Sequence, residues 1–89
     1  NVYSREVVGV LNSLPGIRDT AIIGQPDLMR GAAIKAFVVR DDPSITEDDI
    51  KKHARRRLAS YKTPRHVSFV PEIPRDKKGN VISDLLSSF

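Results

Sequence analysis

The alternation of helical and strand patterns along this chain predicts an α+β fold: a small, mainly antiparallel three-stranded sheet with helices packed on it, in the order helix, strand, strand, helix, strand, loop, helix. Three observations carry that expectation. Apolar residues recur at helical spacing over residues 7–14 and again over 50–61. Short runs rich in β-branched and aromatic residues occur at 20–23, 32–40 and 66–70, each closed by turn-forming residues. The length of 89 residues suits one domain with one core and argues against a second.

Taken in order, Ser4 is placed to cap a first helix whose Glu6 sits near the positive end of the helix dipole, with Val7, Val10, Leu11 and Leu14 on one stripe. Pro15-Gly16 ends it. Thr20, Ala21, Ile22 and Ile23 read as a buried strand closed by Gly24-Gln25-Pro26-Asp27. After a loop over 27–31, residues 32–40 form a second strand that Asp41-Asp42-Pro43-Ser44 breaks. The short separation favours antiparallel pairing of the two.

Thr46 with Asp49 three residues on is a short-armed capping box, and Glu47, Asp48 and Asp49 crowd a helix start where negative charge is favoured. Ile50, Ala54, Leu58 and Tyr61 fall on its apolar stripe, with Tyr61 expected to pack, while Lys51, Lys52, Arg55 and Arg56 face away. Val67 and Phe69 then alternate with polar neighbours as in a half-buried strand. Pro71 and Pro74 stiffen the approach to a charged loop, residues 74–80, because each biases its predecessor away from helix. Ser83 is positioned to cap a last turn bearing Leu85, Leu86 and Phe89.

Composition removes several function classes. Hydrophobic residues at 39% and charged residues at 29% are ordinary for a globular domain, and the apolar runs are a few residues long, against the roughly 20 that a spanning helix needs. The absence of cysteine excludes disulfides, thiolate chemistry and cysteine-ligated zinc, and His53 and His66 have no partners at metal-site spacing. They read as a helix-flank and a strand-surface histidine. A net charge of +4 suits an anionic partner without choosing one.

The basic segment 51–57 is the most visible candidate for a nucleic-acid surface, but a solvated helix face explains it as well. The helix lacks stacking aromatics and amide side chains for reading base edges. No nucleophile stands beside a base at a recognisable spacing, and the five glycines are not grouped into a phosphate-cradling loop. By itself the chain lacks a complete active site.

Six pieces, in order, resemble the small C-terminal domain of the adenylate-forming ligases, which include acyl-CoA synthetases, luciferases and the adenylation domains of nonribosomal peptide synthetases. They are Asn1-Val2-Tyr3 leading to Arg5-Glu6-Val7, Leu14-Pro15-Gly16-Ile17, Ile23-Gly24-Gln25-Pro26-Asp27, Gly31 to Val39, Leu58-Ala59-Ser60-Tyr61-Lys62-Thr63-Pro64, and Phe69-Val70-Pro71-Glu72-Ile73-Pro74-Arg75. The resemblance implies that residues 1–89 are a mobile lid and that a large N-terminal domain, absent here, binds ATP, Mg2+ and a carboxylic acid. It implies formation of an acyl-adenylate and transfer to the thiol of coenzyme A or of a carrier-protein phosphopantetheine, in the cytoplasm, with the lid turning between the two half-reactions. It assigns the partners as the N-terminal domain, the carboxylic acid and a carrier protein, with no membrane span and with nucleic acid disfavoured.

In similar proteins the loop after the last strand reads proline, arginine, three variable residues, glycine, lysine, and that lysine enters the site during adenylation. Here Pro74, Arg75 and Gly79 match, but the lysine position is Asn80. Asparagine is about two heavy atoms shorter and supplies no cation. Three explanations stand: a replacement introduced to block adenylation or trap one state, a natural ligase with weakened or altered chemistry, and substitution by Lys78 through a local shift of the loop. The resemblance thus marks Asn80, Gly79 and Arg75 as the catalytic-loop positions, with Lys62 and Lys35 as cations for a cofactor phosphate. The alternative class is a small basic binding module for nucleic acid or an acidic protein, with the 51–57 helix as its footprint.

Overall fold

The apolar run at residues 36–39 organises the fold, because it is buried on both sides. In the computed structural model, which describes residues 4–29 and 31–86, the elements are α1 (Ser4–Asn12), β1 (Ile17–Asp27), β2 (Gly31–Arg40), α2 (Glu47–Arg55), a 3-10 turn (Ser60–Lys62), β3 (His66–Phe69) and α3 (Ser83–Leu86). Strand β2 lies between the other two. It pairs antiparallel with β1 from Ile17↔Arg40 to Asp27↔Gly31, with a bulge between Ile17 and Asp19. It pairs parallel with β3 from Lys35↔His66 to Val38↔Phe69.

The sheet is therefore mixed but mainly antiparallel. Parallel neighbours cannot be joined by a tight turn, and the segment containing α2 provides the crossover from β2 to β3.

Alternate residues of β2 point to opposite faces. Ile34, Ala36 and Val38 join Val7, Leu11, Ile45, Ile50, Ala54, Leu58 and Val67 on one face, beneath α1 and α2. Phe37 and Val39 join Ala21, Val70, Ile73 and Leu86 on the other, beneath the chain that follows β3. The expected single core is thus divided by the sheet into two apolar layers, since a central strand with no polar alternation must be covered twice.

Several local expectations change. β1 runs from Ile17 to Asp27 rather than stopping before Gly24-Gln25-Pro26-Asp27. It is an edge strand, where the missing N–H of proline costs nothing on the solvent side. Ser4 and Ser83 are the first residues of α1 and α3, and at α3 the Ile82 carbonyl accepts from the Leu85 N–H at 3.1 Å. Tyr61 is 64% exposed and so is not a packing residue, because α2 has ended and the 3-10 turn breaks the stripe after buried Leu58. The pieces at residues 1–3 and the expected contact of Phe89 lie outside the described residues.

The capping box of α2 is present. The Asp49 N–H donates to the Thr46 hydroxyl at 3.1 Å, and the Thr46 N–H donates to the Asp49 carboxylate at 2.9 Å. The Thr46 N–H, and to a smaller extent the Thr46 hydroxyl, hold the Asp49 carboxyl below the usual carboxylate range. Between α1 and β1, Gly16 adopts φ +97° and accepts the Asp41 N–H at 2.7 Å. That left-handed conformation favours glycine, and a Cβ there would also meet Ile45 Cδ1 at 2.6 Å and Asp42 Cβ at 3.0 Å. Among the described residues, no helix is long and apolar enough to cross a membrane.

Candidate functional site

Beyond β3 the chain folds back over the second face of the sheet. Buried Val70 and Ile73 fasten the segment down, and the intervening Pro71 keeps it extended. It then closes on itself as a small hairpin. Arg75 and Val81 form an antiparallel bridge, and the Pro74 carbonyl accepts from the Ile82 N–H at 2.9 Å. The Asp76 N–H donates to the Asn80 carbonyl at 2.9 Å, the Gly79 N–H donates to the Asp76 carbonyl at 3.0 Å, and Gly79 makes the turn with φ +87°.

One carboxylate organises the turn from inside. Asp76 Oδ1 accepts the backbone N–H groups of Lys78 and Asn80, each at 2.9 Å. The Asn80 amide nitrogen approaches Asp76 Oδ2 at 3.5 Å. The Asn80 backbone bond is the main cause holding the Asp76 carboxyl below its ordinary range; the Lys78 N–H adds to it, against a smaller opposing effect of desolvation. A carboxylate accepting the N–H two residues ahead is an Asx-turn, so the loop is tightly wound and not extended. Within such a turn the strict alternation of an extended strand does not fix the direction of Lys78.

Arg75 fixes the hairpin to the sheet. Its Nη2 and Nε donate to Asp19 Oδ1 and Oδ2 at 2.8 and 3.3 Å, and its Nη1 donates to the Gly79 carbonyl at 2.9 Å. Asp19, on β1, also accepts the Thr20 N–H at 2.9 Å. Thr20, 1% exposed, donates its hydroxyl to Asn12 of α1 at 2.8 Å. The structure therefore brings three of the sequence-marked residues, Arg75, Gly79 and Asn80, into one hairpin.

The other two stand apart from that hairpin. Lys62 extends from the 3-10 turn to Glu6 of α1, 2.7 Å away, so its charge is engaged on the helix-covered side. The Lys35 ammonium lies 4.8 Å from the centre of the Phe37 ring. Lys35 shares the hairpin's face of the sheet by strand alternation. Yet it is four residues along β2 from Val39, the partner of Asp19, which is about 13 Å.

Two residues that hold the hairpin were not singled out from the sequence. Asp76 had a readable signal, an aspartate followed by a glycine three residues on. Asp19 had none, since its partner lies 56 residues away.

A separate groove of about 540 Å³ runs between α2 and the start of β3, lined by Glu47, Lys51, Arg55, Thr63, Arg65 and His66 among others. Lys51 and Lys52 of α2 are paired with Glu47 and Asp48 at 2.8 and 3.1 Å, one helical turn back. Two of the five lysines and arginines of the 51–57 segment thus have a carboxylate partner one turn back.

The fold and the hairpin define a class, the small C-terminal domains of adenylate-forming ligases. The sequence pattern of the AMP-binding enzyme C-terminal domain matches residues 6–80, and the chain belongs to that family. It is 39% identical over 82 residues to a long-chain-fatty-acid–CoA ligase of Escherichia coli O6:H1, covering 92% of this chain and 15% of that protein. It is 41% identical over 87 residues to the putative acyl–CoA ligase YdaB of Bacillus subtilis, covering 97% of this chain and 17% of that one.

Among solved structures, ATP-bound MatB from Rhodopseudomonas palustris superposes with a TM-score of 0.87 at 32% identity, over 97% of this chain and 17% of that one. A fatty acyl CoA synthetase of Mycobacterium tuberculosis superposes at 0.86 with 35% identity, again over 97% and 17%. The chain thus spans about a sixth of the length of these relatives.

Proposed function

We propose that residues 1–89 are the mobile lid of a ligase that activates a carboxylic acid with ATP to an acyl-adenylate and passes the acyl group to a thiol of coenzyme A or of a carrier-protein phosphopantetheine, in the cytoplasm. The observation that carries this reading is the hairpin at 74–82, which presents exposed position 80 at its turn, with its backbone N–H on Asp76 and the Arg75 guanidinium on the carbonyl before it. That is a built presentation device and more than a solvated turn. The family membership supports the reaction class, and the short span relative to the relatives supports a preceding domain that holds the acid and the nucleotide.

At position 80 the device carries a neutral amide. Adenylation draws negative charge onto the reacting phosphate and carboxylate oxygens, and a preorganised cation stabilises that charge as it develops. Asn80 can donate a hydrogen bond but brings no charge, and its reach is shorter than that of lysine. Its nearest carboxylate, Asp76, adds negative charge to the same turn. The adenylation half-reaction is therefore impaired, while thioester formation, which uses another orientation of the lid, is not.

ATP, held by the preceding domain, would supply the adenylyl group that the carboxylate takes up, with pyrophosphate as the leaving group and Mg2+ neutralising its charge. Among the described residues, no three histidine, aspartate or glutamate side chains come together for a metal, and the proposal gives this domain no ligand role. On the acceptor side, Arg55 and Arg65 line the α2–β3 groove and suit an anionic acceptor group. The isolated domain is inactive on this reading, because it holds neither substrate.

Asn80→Lys in the full-length protein is expected to raise ATP–pyrophosphate exchange by about 100- to 1,000-fold, the size of one electrostatic stabiliser. Thioester formation from a synthetic acyl-adenylate should change by less than about threefold. Equal exchange rates for the two forms would sink the proposal.

A further inference from the structure

We propose that Asp19, a residue of strand β1 remote in sequence from the loop, is a positioning residue for adenylation: through Arg75 it sets the orientation of the peptide plane that carries residue 80. The inference rests on the reading of the hairpin given above and concerns how that hairpin is aimed.

The peptide unit between Gly79 and Asn80 is a rigid plane. Its carbonyl accepts from Arg75 Nη1 at 2.9 Å, and its N–H donates to Asp76 Oδ1 at 2.9 Å. Both ends of the plane are held, so the direction in which the Cα of residue 80 leaves the turn follows from where Arg75 and Asp76 stand. Asp76 belongs to the turn and moves with it. Arg75 does not stand alone, because its other two bonds go to Asp19 in a two-pronged pair that fixes the guanidinium plane as well as its place.

Asp19 is in turn held by the Thr20 N–H on the sheet, and Thr20 by Asn12 of α1. A continuous line of hydrogen bonds thus runs from the first helix to the peptide plane before residue 80. The Arg75 and Asp19 side chains are 36% and 31% exposed, neither buried enough to dominate stability nor so open that water replaces the pair. The pair therefore matters more for aim than for folding, and a displacement of about 1 Å at a reacting group costs about 100-fold in rate.

The test uses the full-length protein with Asp19→Asn, an isosteric change that keeps an acceptor for the Thr20 N–H, and Asp19→Glu, which restores the carboxylate. Each is made with and without Asn80→Lys. Pyrophosphate exchange gives kcat and KM, and hydrogen exchange of the 75–82 segment gives the order of the loop. With Asp19 intact, Asn80→Lys gains about 100-fold or more. With Asp19→Asn that gain falls below about tenfold, through kcat and not KM. Amides at 78–80 exchange at least about tenfold faster while the rest of the sheet is unchanged, and Asp19→Glu recovers most of both effects.

The same Asn80→Lys gain in both backgrounds overturns the proposal, as does unchanged exchange of the loop. Faster exchange across the whole domain in both Asp19 variants also overturns it, because the role is then structural. If Asn80→Lys gives no gain anywhere while Asp19→Asn still frees the loop, the reading of position 80 falls and the hold of Asp19 on the turn stands.

Discussion

The two faces of the sheet are covered by different physics. On one, α1 and α2 lay apolar stripes over Ile34, Ala36 and Val38, and ten buried residues make a continuous layer. On the other, a single strap from Val70 to Leu86 buries six, and much of its order comes from polar bonds: Arg75 to Asp19, and Asp76 to the amides it encloses. Apolar packing is non-directional and strong in sum, whereas hydrogen bonds to a charged group are directional and modest in net energy. The helix-covered face is suited to keep the domain folded, and the strap-covered face to hold one residue in one direction.

The largest expected effects lie on the helix side. Ile50→Ala, at a residue with no exposure, should destabilise the chain by about 3–4 kcal/mol, and Ile73→Ala in the strap by about 2 kcal/mol, because the thinner cover can collapse into the space. Denaturant unfolding of the two variants measures this directly. A larger loss at Ile73 would break the comparison.

Next comes the turn itself. A Cβ at Gly79 meets open space, so the cost of Gly79→Ala arises from φ +87° alone and should be about 1–2 kcal/mol. Here the comparison is sharpened by asking where the loss appears. It should show as faster amide exchange confined to residues 76–80, with the helices unaffected; a uniform change would mean that strap and helices unfold as one unit.

The smallest effect is electrostatic. The Asp76 pKa is depressed in the folded state, chiefly by the Asn80 N–H, so the stabilisation it provides is present above the unfolded carboxyl value and is lost as pH falls through the lower folded one. The Asp76 carboxyl should titrate with a midpoint below 3.8, followed by carbon-13 shifts. The loop amides should lose protection in that acid range and not near neutrality. A midpoint above 3.8 would mean that the Asx-turn is not formed in solution.

Much of this arrangement could be read along the chain, and the parts that could are local. Thr46 and Asp49 are three residues apart, and their reciprocal bonds follow from helix geometry wherever such a pair begins a helix. The stripe of Ile50, Ala54 and Leu58 is a matter of period, and it failed at Tyr61 only because the helix had already ended. The resemblance marks Lys62 as a cation for a cofactor phosphate, and the fold gives it Glu6, a partner 56 residues away that no spacing rule could supply.

By itself, then, the sequence determined the helices, the strands and the two proline-stiffened entries to the loop. Those features depend on torsional preference, periodicity and bonds that close within a few residues. Only the tertiary structure decided that β3 runs parallel to β2, that the sheet is covered on both faces, and that Arg75 is fastened to Asp19. Each of these is a meeting of segments distant in sequence, settled by which apolar faces can be buried together. The hold on the 74–82 hairpin belongs to this second group, because the turn at 76–80 is local but the strand to which Arg75 is fastened is not.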